Sequence, residues 1–149
     1  VELAGALKNV IAIASGISDS LSFGDNSRAA LITRGLAEIT RLGMACGAQK
    51  ETFLGLAGIG DLLLTCTGKL SRNRYVGYEL GSGRPLSKIL SGLKMVAEGI
   101  STTLSVRRIA KKKKVEMPIS EQVYQVLYNN KDPRQALYDL MSRKLKDEF

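Results

Sequence analysis

The 149-residue chain contains no histidine and no tryptophan, and only 5% of its residues are aromatic. Without histidine, any general acid or base must be a lysine, aspartate, glutamate, tyrosine or cysteine. The two cysteines, Cys46 and Cys66, are far apart in the sequence, so neither a paired zinc motif nor a histidine-based metal site is supported. We therefore expect no metal, and reduced thiols of the kind found in a cytoplasmic protein.

Long apolar runs are also missing. No run is long enough to cross a membrane, and no signal-peptide pattern is present. Hydrophobic residues make up 44% and charged residues 24% of the chain, which is typical of a domain with its own core. The formal charge of +8 attracts nucleic acid, acidic membranes and phosphorylated metabolites alike. Because the chain starts at Val1, already in a helical pattern, we expect it to be a piece of a longer protein.

Alternating strand patterns of useful length are absent, and apolar residues recur at helical spacing, so the sequence predicts an all-α domain of about eight helices. The first helix is expected from about Val1 to Leu21. Its apolar stripe consists of Leu3, Leu7, Val10, Ile11, Ala14 and Ile17.

A second helix is predicted to begin at a cap among residues 25–27 and to reach about Cys46, with Gly47 ending it. Its polar face is expected to hold Arg34, Glu38 and Arg41. The remaining predicted helices are one at about 50–56, one capped by Ser71, one starting at Pro85, one over about 98–114, one capped by Ser120 and one capped by Asp132.

Lys8 is the only charged residue between Glu2 and Asp19. Its neighbours three and four positions away on a helix are apolar or small. Such surroundings disfavour a charged ammonium, so this amine could exchange protons near neutral pH. Alternatively, Lys8 reaches the surface from the flank of the apolar stripe, and the helix alone favours this interpretation slightly. Asn9 is a second polar group in the same apolar stretch.

The segment GIGDLLLTC places Asp61 and Thr65 on one face of a helix. Asp61 lies near a helix start, where the macrodipole favours a carboxylate, so a simple cap is one interpretation. The other is that the two side chains bind a ligand together. The nearby glycines do not form a dinucleotide loop, because their order is G-x-x-G-x-G and no strand precedes them.

The segment SRNR places Arg72 and Arg74 in the first turn of a helix, where positive charge is unfavourable. An anion held by the free N–H groups of that turn would reverse this argument. Ser71, Arg72 and Asn73 therefore form a candidate phosphate site, and a solvated loop with incidental arginines is the alternative.

The segment RRIAKKKK carries six cations, from Arg107 to Lys114. Such a cluster could bind nucleic acid or an acidic membrane. However, cations suit the C-terminus of a helix, and no interleaved aromatic residues are present for base stacking. A basic helical module that binds nucleic acid through Arg107–Lys114 is kept as the alternative function.

The segments VELAGALKN, GIGDLLLTCT, SRNR and MVAEG, in this order, resemble the NAD(P)-dependent glycerol-3-phosphate dehydrogenases of bacterial type. The resemblance extends from Val1 to near Phe149. It implies a helical C-terminal substrate domain similar to that of 6-phosphogluconate dehydrogenase, with the N-terminal dinucleotide-binding domain absent from this chain. It also implies the interconversion of dihydroxyacetone phosphate and sn-glycerol 3-phosphate with NADPH or NADH, for glycerophospholipid synthesis.

The resemblance further implies roles for particular residues. Lys8 matches the proton acceptor, which Asp61 would orient. Substrate-binding positions are implied at Lys8, Asn9, Asp61, Thr65, Ser71, Arg72 and Asn73. Cofactor contacts are implied at Arg72, Val96 and Glu98.

The implied partners are a phosphorylated small molecule and the chain's own dinucleotide-binding domain, without nucleic acid or a membrane span. Exposed apolar surface that the second domain would cover could also favour a homodimer. Because the missing domain would bind most of the nicotinamide cofactor, we expect the chain to fold by itself but to catalyse nothing.

Overall fold

The computed structural model describes residues 2–49, 51, 56–68 and 71–143, without the side chains of residues 2, 56–59, 61 and 67. Within these ranges every regular element is a helix, which confirms the predicted all-α class. The helices are α1 (Glu2–Ser20), α2 (Asp25–Ala45), α3 (Leu56–Thr67), α4 (Arg72–Gly81), α5 (Leu86–Ser91), α6 (Glu98–Lys113), α7 (Pro118–Tyr128) and α8 (Pro133–Met141). The predicted helix at about 50–56 falls mostly outside the described residues.

Helix α1 is the centre of the domain. All residues from Val10 to Ser18 are buried, so this stretch of the helix is enclosed around its whole circumference. It contacts α2, α3, α4, α6, α7 and α8. The predicted apolar stripe is therefore only part of a fully buried surface. The polar side chain of Ser15 is accommodated because its hydroxyl donates to the Cys66 carbonyl oxygen at 2.9 Å.

Helix α4 packs against α1 with almost no space between the backbones. A Cβ added at Gly77 would overlap the carbonyl oxygen of Ile13, and one at Gly81 would overlap the hydroxyl of Ser20 and approach the Ile17 carbonyl oxygen. Because Gly77 faces Ile13 while Gly81 faces positions later in α1, the two helices run in the same direction. Their N-terminal ends therefore lie at the same end of the domain.

Several helix ends lie where the sequence predicted them. The Ser71 hydroxyl accepts a hydrogen bond from the Arg74 backbone N–H at 3.2 Å, and the Asp132 carboxylate accepts one from the Gln135 N–H at 3.0 Å. Gly47 follows the end of α2 with a φ of 99°, a conformation that glycine adopts without strain. Local sequence signals were sufficient at these ends.

Two predicted caps were wrong. Helix α2 begins at Asp25 after Gly24, without a side-chain cap. Helix α7 begins at Pro118, so Ser120 lies inside its first turn rather than before it. Proline is well suited to a first helical position, because the N–H that it lacks would have no partner within the helix.

Glu38 was also predicted wrongly, as part of an exposed polar face. It is only 2% exposed. Its carboxylate accepts hydrogen bonds from the backbone N–H groups of Ile119, at 2.5 Å, and Ser120, at 3.3 Å. Glu38 therefore caps α7 from a different helix. Burial raises the pKa of Glu38 to about 7, although these hydrogen bonds and the nearby Arg41 oppose the rise.

This buried carboxyl predicts a pH dependence of stability. The pKa of Glu38 rises from 4.5 to about 7 on folding, so the folded protein binds the proton more tightly than the unfolded chain does. The stabilisation that comes from protonated Glu38 is complete below pH 4.5 and is lost as the pH rises through 7. Relative to Glu38→Gln, the wild-type free energy of unfolding should fall across this range by about 3 kcal/mol at most.

Urea denaturation at a series of pH values measures this difference. Glu79→Gln, a change of the same chemistry at a less buried site on α4, is the matched control for the loss of a carboxyl group. Parallel stability curves for the wild type and Glu38→Gln would contradict the prediction.

Candidate functional site

The predicted site residues come mainly from three segments that meet at one end of the domain. These are α1 around Lys8, the start of α4 and the start of α6. Ile13 faces Gly77 where α1 and α4 cross. Asn9 and Asn73 lie one helical turn before Ile13 and Gly77, so they are neighbours across the contact between the parallel helices α1 and α4.

Gly99, in the first turn of α6, joins these two helices. Its N–H donates to the buried Asn73 Oδ1 at 2.8 Å. A Cβ added at Gly99 would lie 2.6 Å from that oxygen and 3.0 Å from the carbonyl oxygen of Asn9. The start of α6 therefore occupies the wedge between α1 and α4, and only glycine leaves enough room. The sequence analysis missed Gly99, for which the one available signal was its position at the end of MVAEG.

Arg72 and Val96, both predicted to contact a cofactor, contact each other. Nε of the exposed Arg72 donates to the Val96 carbonyl oxygen at 3.2 Å, and Nη1 lies 3.8 Å from the Met95 sulfur. The Val96 side chain is 75% exposed and that of Met95 is 62% exposed. A guanidinium thus lies beside an apolar patch on the protein surface, and Glu98 is exposed two residues further along.

Lys8 is half-buried on α1, between the fully buried Leu7 and the half-buried Asn9. Lys8 is therefore neither enclosed in the core nor fully exposed. The structure lies between the two sequence interpretations, an amine in apolar surroundings and an amine at the surface. Its position in the chain places it at the same end of α1 as the contacts of Gly99. Such a lysine can be reached by a ligand while part of its stem stays packed.

The GIGDLLLTC segment is described only in part. Thr65 is half-buried on α3, whereas the side chain of Asp61 lies outside the described residues. The predicted pairing of Asp61 with Thr65, and its orientation of Lys8, stay predictions.

The sequence analysis used both Arg72 and Arg74 as signs of a bound anion, but Arg74 has a counter-charge within the protein. Its Nη2 lies 2.8 Å from Oδ2 of Asp19, so its charge is balanced within the protein. The candidate phosphate site therefore rests on Ser71, Arg72 and Asn73. Two of these also have structural bonds, because Ser71 caps α4 and Asn73 accepts from the start of α6.

The electrostatics of this end of the domain favour a small anion. Helices α4 and α6 both begin here, and the first turn of a helix presents N–H groups and a partial positive charge. The charges of Lys8 and Arg72 add to this potential, while Glu98 opposes it in part. On these grounds the starts of α4 and α6 are a candidate anion site, and Lys8 lies on the neighbouring α1.

The basic cluster Arg107–Lys114 has a structural explanation. Lys111, Lys112 and Lys113 form the last turn of α6, where the macrodipole favours cations. Arg107 forms an ion pair with Glu121 at 2.7 Å and lies over the Tyr124 ring, with its Cζ atom 4.1 Å from the ring centroid. Part of the positive charge is therefore neutralised within the domain.

The two cysteines are free, as predicted. Cys46 is exposed, and burial raises the pKa of the Cys66 thiol to about 12, so Cys66 is unsuited to nucleophilic chemistry. Among the described residues, no cluster of three or more cysteine and carboxylate side chains could hold a metal ion. No helix in that part of the chain has the length and apolar character needed to cross a membrane.

The structure is thus an all-α domain built around a largely buried central helix, with a candidate anion site where α1, α4 and α6 meet. Residues 1–138 match the family model described as the NAD-dependent glycerol-3-phosphate dehydrogenase C-terminus. The chain belongs to this family, which confirms the resemblance found in the sequence.

Individual relatives agree with this assignment. The glycerol-3-phosphate dehydrogenase (NAD(P)+) of Citrifermentans bemidjiense is 67% identical over 99% of the chain and 44% of that protein. The protein of the same name from Syntrophotalea carbinolica is 66% identical over 100% of the chain and 45% of its own length. The chain thus spans less than half of these relatives.

Solved structures show the same fold. Glycerol-3-phosphate dehydrogenase from Coxiella burnetii matches with a TM-score of 0.91 and 47% identity, over 95% of this chain and 44% of that one. The Saccharomyces cerevisiae enzyme matches with a TM-score of 0.82 and 32% identity, over 94% of this chain and 41% of that one. The family model, the relatives and the solved structures give no support to the alternative of a nucleic-acid-binding module.

Proposed function

We propose that this chain is the substrate domain of an oxidoreductase that interconverts dihydroxyacetone phosphate and sn-glycerol 3-phosphate, using NADPH or NADH. The observation that carries the proposal is that Arg72, Asn73 and Gly99 are joined by hydrogen bonds and close contacts where α4 and α6 begin, beside the carbonyl oxygen of Asn9, the residue that follows Lys8. The names of the relatives, all glycerol-3-phosphate dehydrogenases, support the same reaction.

Each residue has a chemical task in this proposal. The Ser71–Asn73 turn binds the substrate phosphate through its N–H groups and the Arg72 guanidinium. Lys8 accepts the proton of the C2 hydroxyl during oxidation and returns a proton during reduction. Asn9 and Thr65 complete the polar lining. This division gives a role to a lysine that is half-buried on α1, the helix that packs against α4.

The cofactor can be accommodated by the residues that are present. Arg72, Val96 and Glu98 lie together at an exposed edge, where a guanidinium can bind a phosphate or carbonyl oxygen and Val96 can pack against a flat ring. The nicotinamide, when bound, supplies the carbon that accepts or donates hydride. These residues could cover only one side of a dinucleotide, so a second domain must hold the remainder.

We also propose that this second domain covers the apolar surface near the site. Met95 is 62% exposed and Val96 75% exposed, and large exposed apolar side chains mark surfaces that another protein part can cover. A homodimer formed through this surface is the alternative. The free cysteines are compatible with the reducing cytoplasm, where we expect the enzyme to act.

The function is tested by assaying the full-length protein, which contains this domain, with dihydroxyacetone phosphate and NADPH or NADH. Oxidation of the nicotinamide should follow, detected as a loss of its absorbance. The 149-residue chain alone should fold but show no turnover and no tight NADPH binding. Absence of activity in the full-length protein with both cofactors would overturn the proposed function.

Arg72→Ala should raise the KM for dihydroxyacetone phosphate in the full-length enzyme. Loss of a charge-assisted hydrogen bond to phosphate costs roughly 1.5–3 kcal/mol, so KM should rise about tenfold to a hundredfold. Arg108→Ala, at an exposed arginine of α6, is the matched control and should leave KM unchanged. If Arg72→Ala lowers only the melting temperature and keeps normal kinetics, Arg72 does not bind the phosphate.

A further inference from the structure

Asp19 connects three helices through two arginines. Its carboxylate is 7% exposed. Oδ1 accepts from Nε and Nη2 of Arg28 at 3.0 and 2.9 Å, and Oδ2 accepts from Nε and Nη2 of Arg74 at 3.2 and 2.8 Å. Each guanidinium thus binds one oxygen through two donors. A buried carboxylate with two such partners is held in a single orientation.

Arg74 links Asp19 to the candidate phosphate site, because it contacts Asp19 through its side chain and Ser71 through its backbone. The backbone N–H of Arg74 donates to the Ser71 hydroxyl at 3.2 Å, while its side chain is held by Asp19. Its carbonyl group packs directly against Gly16 of α1. Arg74 is therefore fixed at its backbone and at its side chain, and it closes the turn formed by Ser71, Arg72 and Asn73.

Asp19 itself is too far away to bind a substrate at Lys8. The two residues are on the same helix, eleven positions apart, which corresponds to about 16 Å along the axis. Any effect of Asp19 on the reaction must be transmitted by the residues that it holds. Of its two partners, Arg74 belongs to the first turn of α4, whereas Arg28 belongs to α2.

We propose that Asp19 is a positioning residue for the phosphate site. By pairing with Arg74 it fixes the first turn of α4, and it keeps the Arg74 guanidinium from competing with Arg72 for the anion. This explains why two arginines are tolerated at the start of a helix when only one faces the ligand. The inference rests on the proposed function, because it assigns the Ser71–Asn73 turn to the substrate phosphate.

The test is a double-mutant cycle in the full-length enzyme. Asp19→Asn should raise the KM for dihydroxyacetone phosphate about tenfold while kcat at saturating substrate stays within about twofold. Arg74→Gln should have the same effect. The double variant Asp19→Asn/Arg74→Gln should be no worse than either single variant, because both remove the same interaction.

Arg28→Gln is the matched control, since it breaks the other ion pair of the same carboxylate. It should lower the melting temperature but leave KM unchanged. If Asp19→Asn does not fold, Arg74→Lys, which keeps the charge but loses the two-donor geometry, should give an intermediate KM. An unchanged KM in Asp19→Asn or Arg74→Lys overturns the inference, and so does an equal rise of KM in Arg28→Gln.

Binding of inorganic phosphate, measured by calorimetry on the full-length protein, separates this inference from the proposed function. If the wild type is inactive on dihydroxyacetone phosphate but binds phosphate more tightly than Asp19→Asn does, the proposed reaction fails while the role of Asp19 stands. If phosphate binds the two proteins equally, the role of Asp19 fails.

Discussion

Lys8→Ala in the full-length enzyme is expected to lower kcat by about a hundredfold or more, the usual effect of losing a general acid–base group. The chain contains no histidine, and Lys8 lies in the first half of α1, one residue before Asn9, whose carbonyl oxygen is close to Gly99 at the start of α6. Removing the Lys8 amine leaves the C2 hydroxyl without this proton acceptor, while the phosphate contacts of the Ser71–Asn73 turn remain. KM should therefore change much less than kcat.

Steady-state kinetics of Lys8→Ala and of a control lysine variant test this expectation. Lys112→Ala, at an exposed position near the end of α6, removes the same charge far from the site and should retain normal turnover. A small primary amine added to Lys8→Ala should restore part of the activity if proton transfer is what was lost. Near-normal kcat in Lys8→Ala would exclude Lys8 as the proton carrier.

Gly77→Ala is expected to destabilise the domain by about 3 kcal/mol or more, because the added methyl group has no space to occupy. It would overlap the Ile13 carbonyl oxygen, and this obstacle is backbone rather than a movable side chain. Helices α1 and α4 would have to separate, which would also change the position of Asn9 relative to Asn73. Loss of activity should accompany the loss of stability.

Gly5→Ala is the matched control for this substitution. Gly5 also lies within a helix, but a Cβ there meets no atom within 4 Å. Alanine should therefore be neutral or should stabilise the helix by up to about 1 kcal/mol. Chemical denaturation of both variants measures the contrast. Equal stabilities for Gly77→Ala and Gly5→Ala would show that α1 and α4 leave room for a methyl group at Gly77.

The candidate site could be predicted from sequence to the extent that it consists of local motifs. Lys8 was noticeable because no other charge lies near it on its helix, and Arg72 because cations are unfavourable where a helix begins. The same reasoning misjudged Arg74, whose counter-charge Asp19 lies 55 residues earlier in the chain. A charge argument confined to one helix cannot detect an ion pair with another helix.

The helical class, several helix ends and the family could be predicted from the amino-acid sequence, because these depend on periodicity, capping residues and short motifs. Three features follow instead from the packing of helices that are distant in the chain. Residues 10–18 of α1 are enclosed on all sides, Glu38 is buried and caps α7, and Gly99 fits between Asn9 and Asn73. The physical reason is that burial and the pairing of polar groups depend on which helices become neighbours. Helical spacing shows which residues share a face, but the packing of the other helices decides what that face meets.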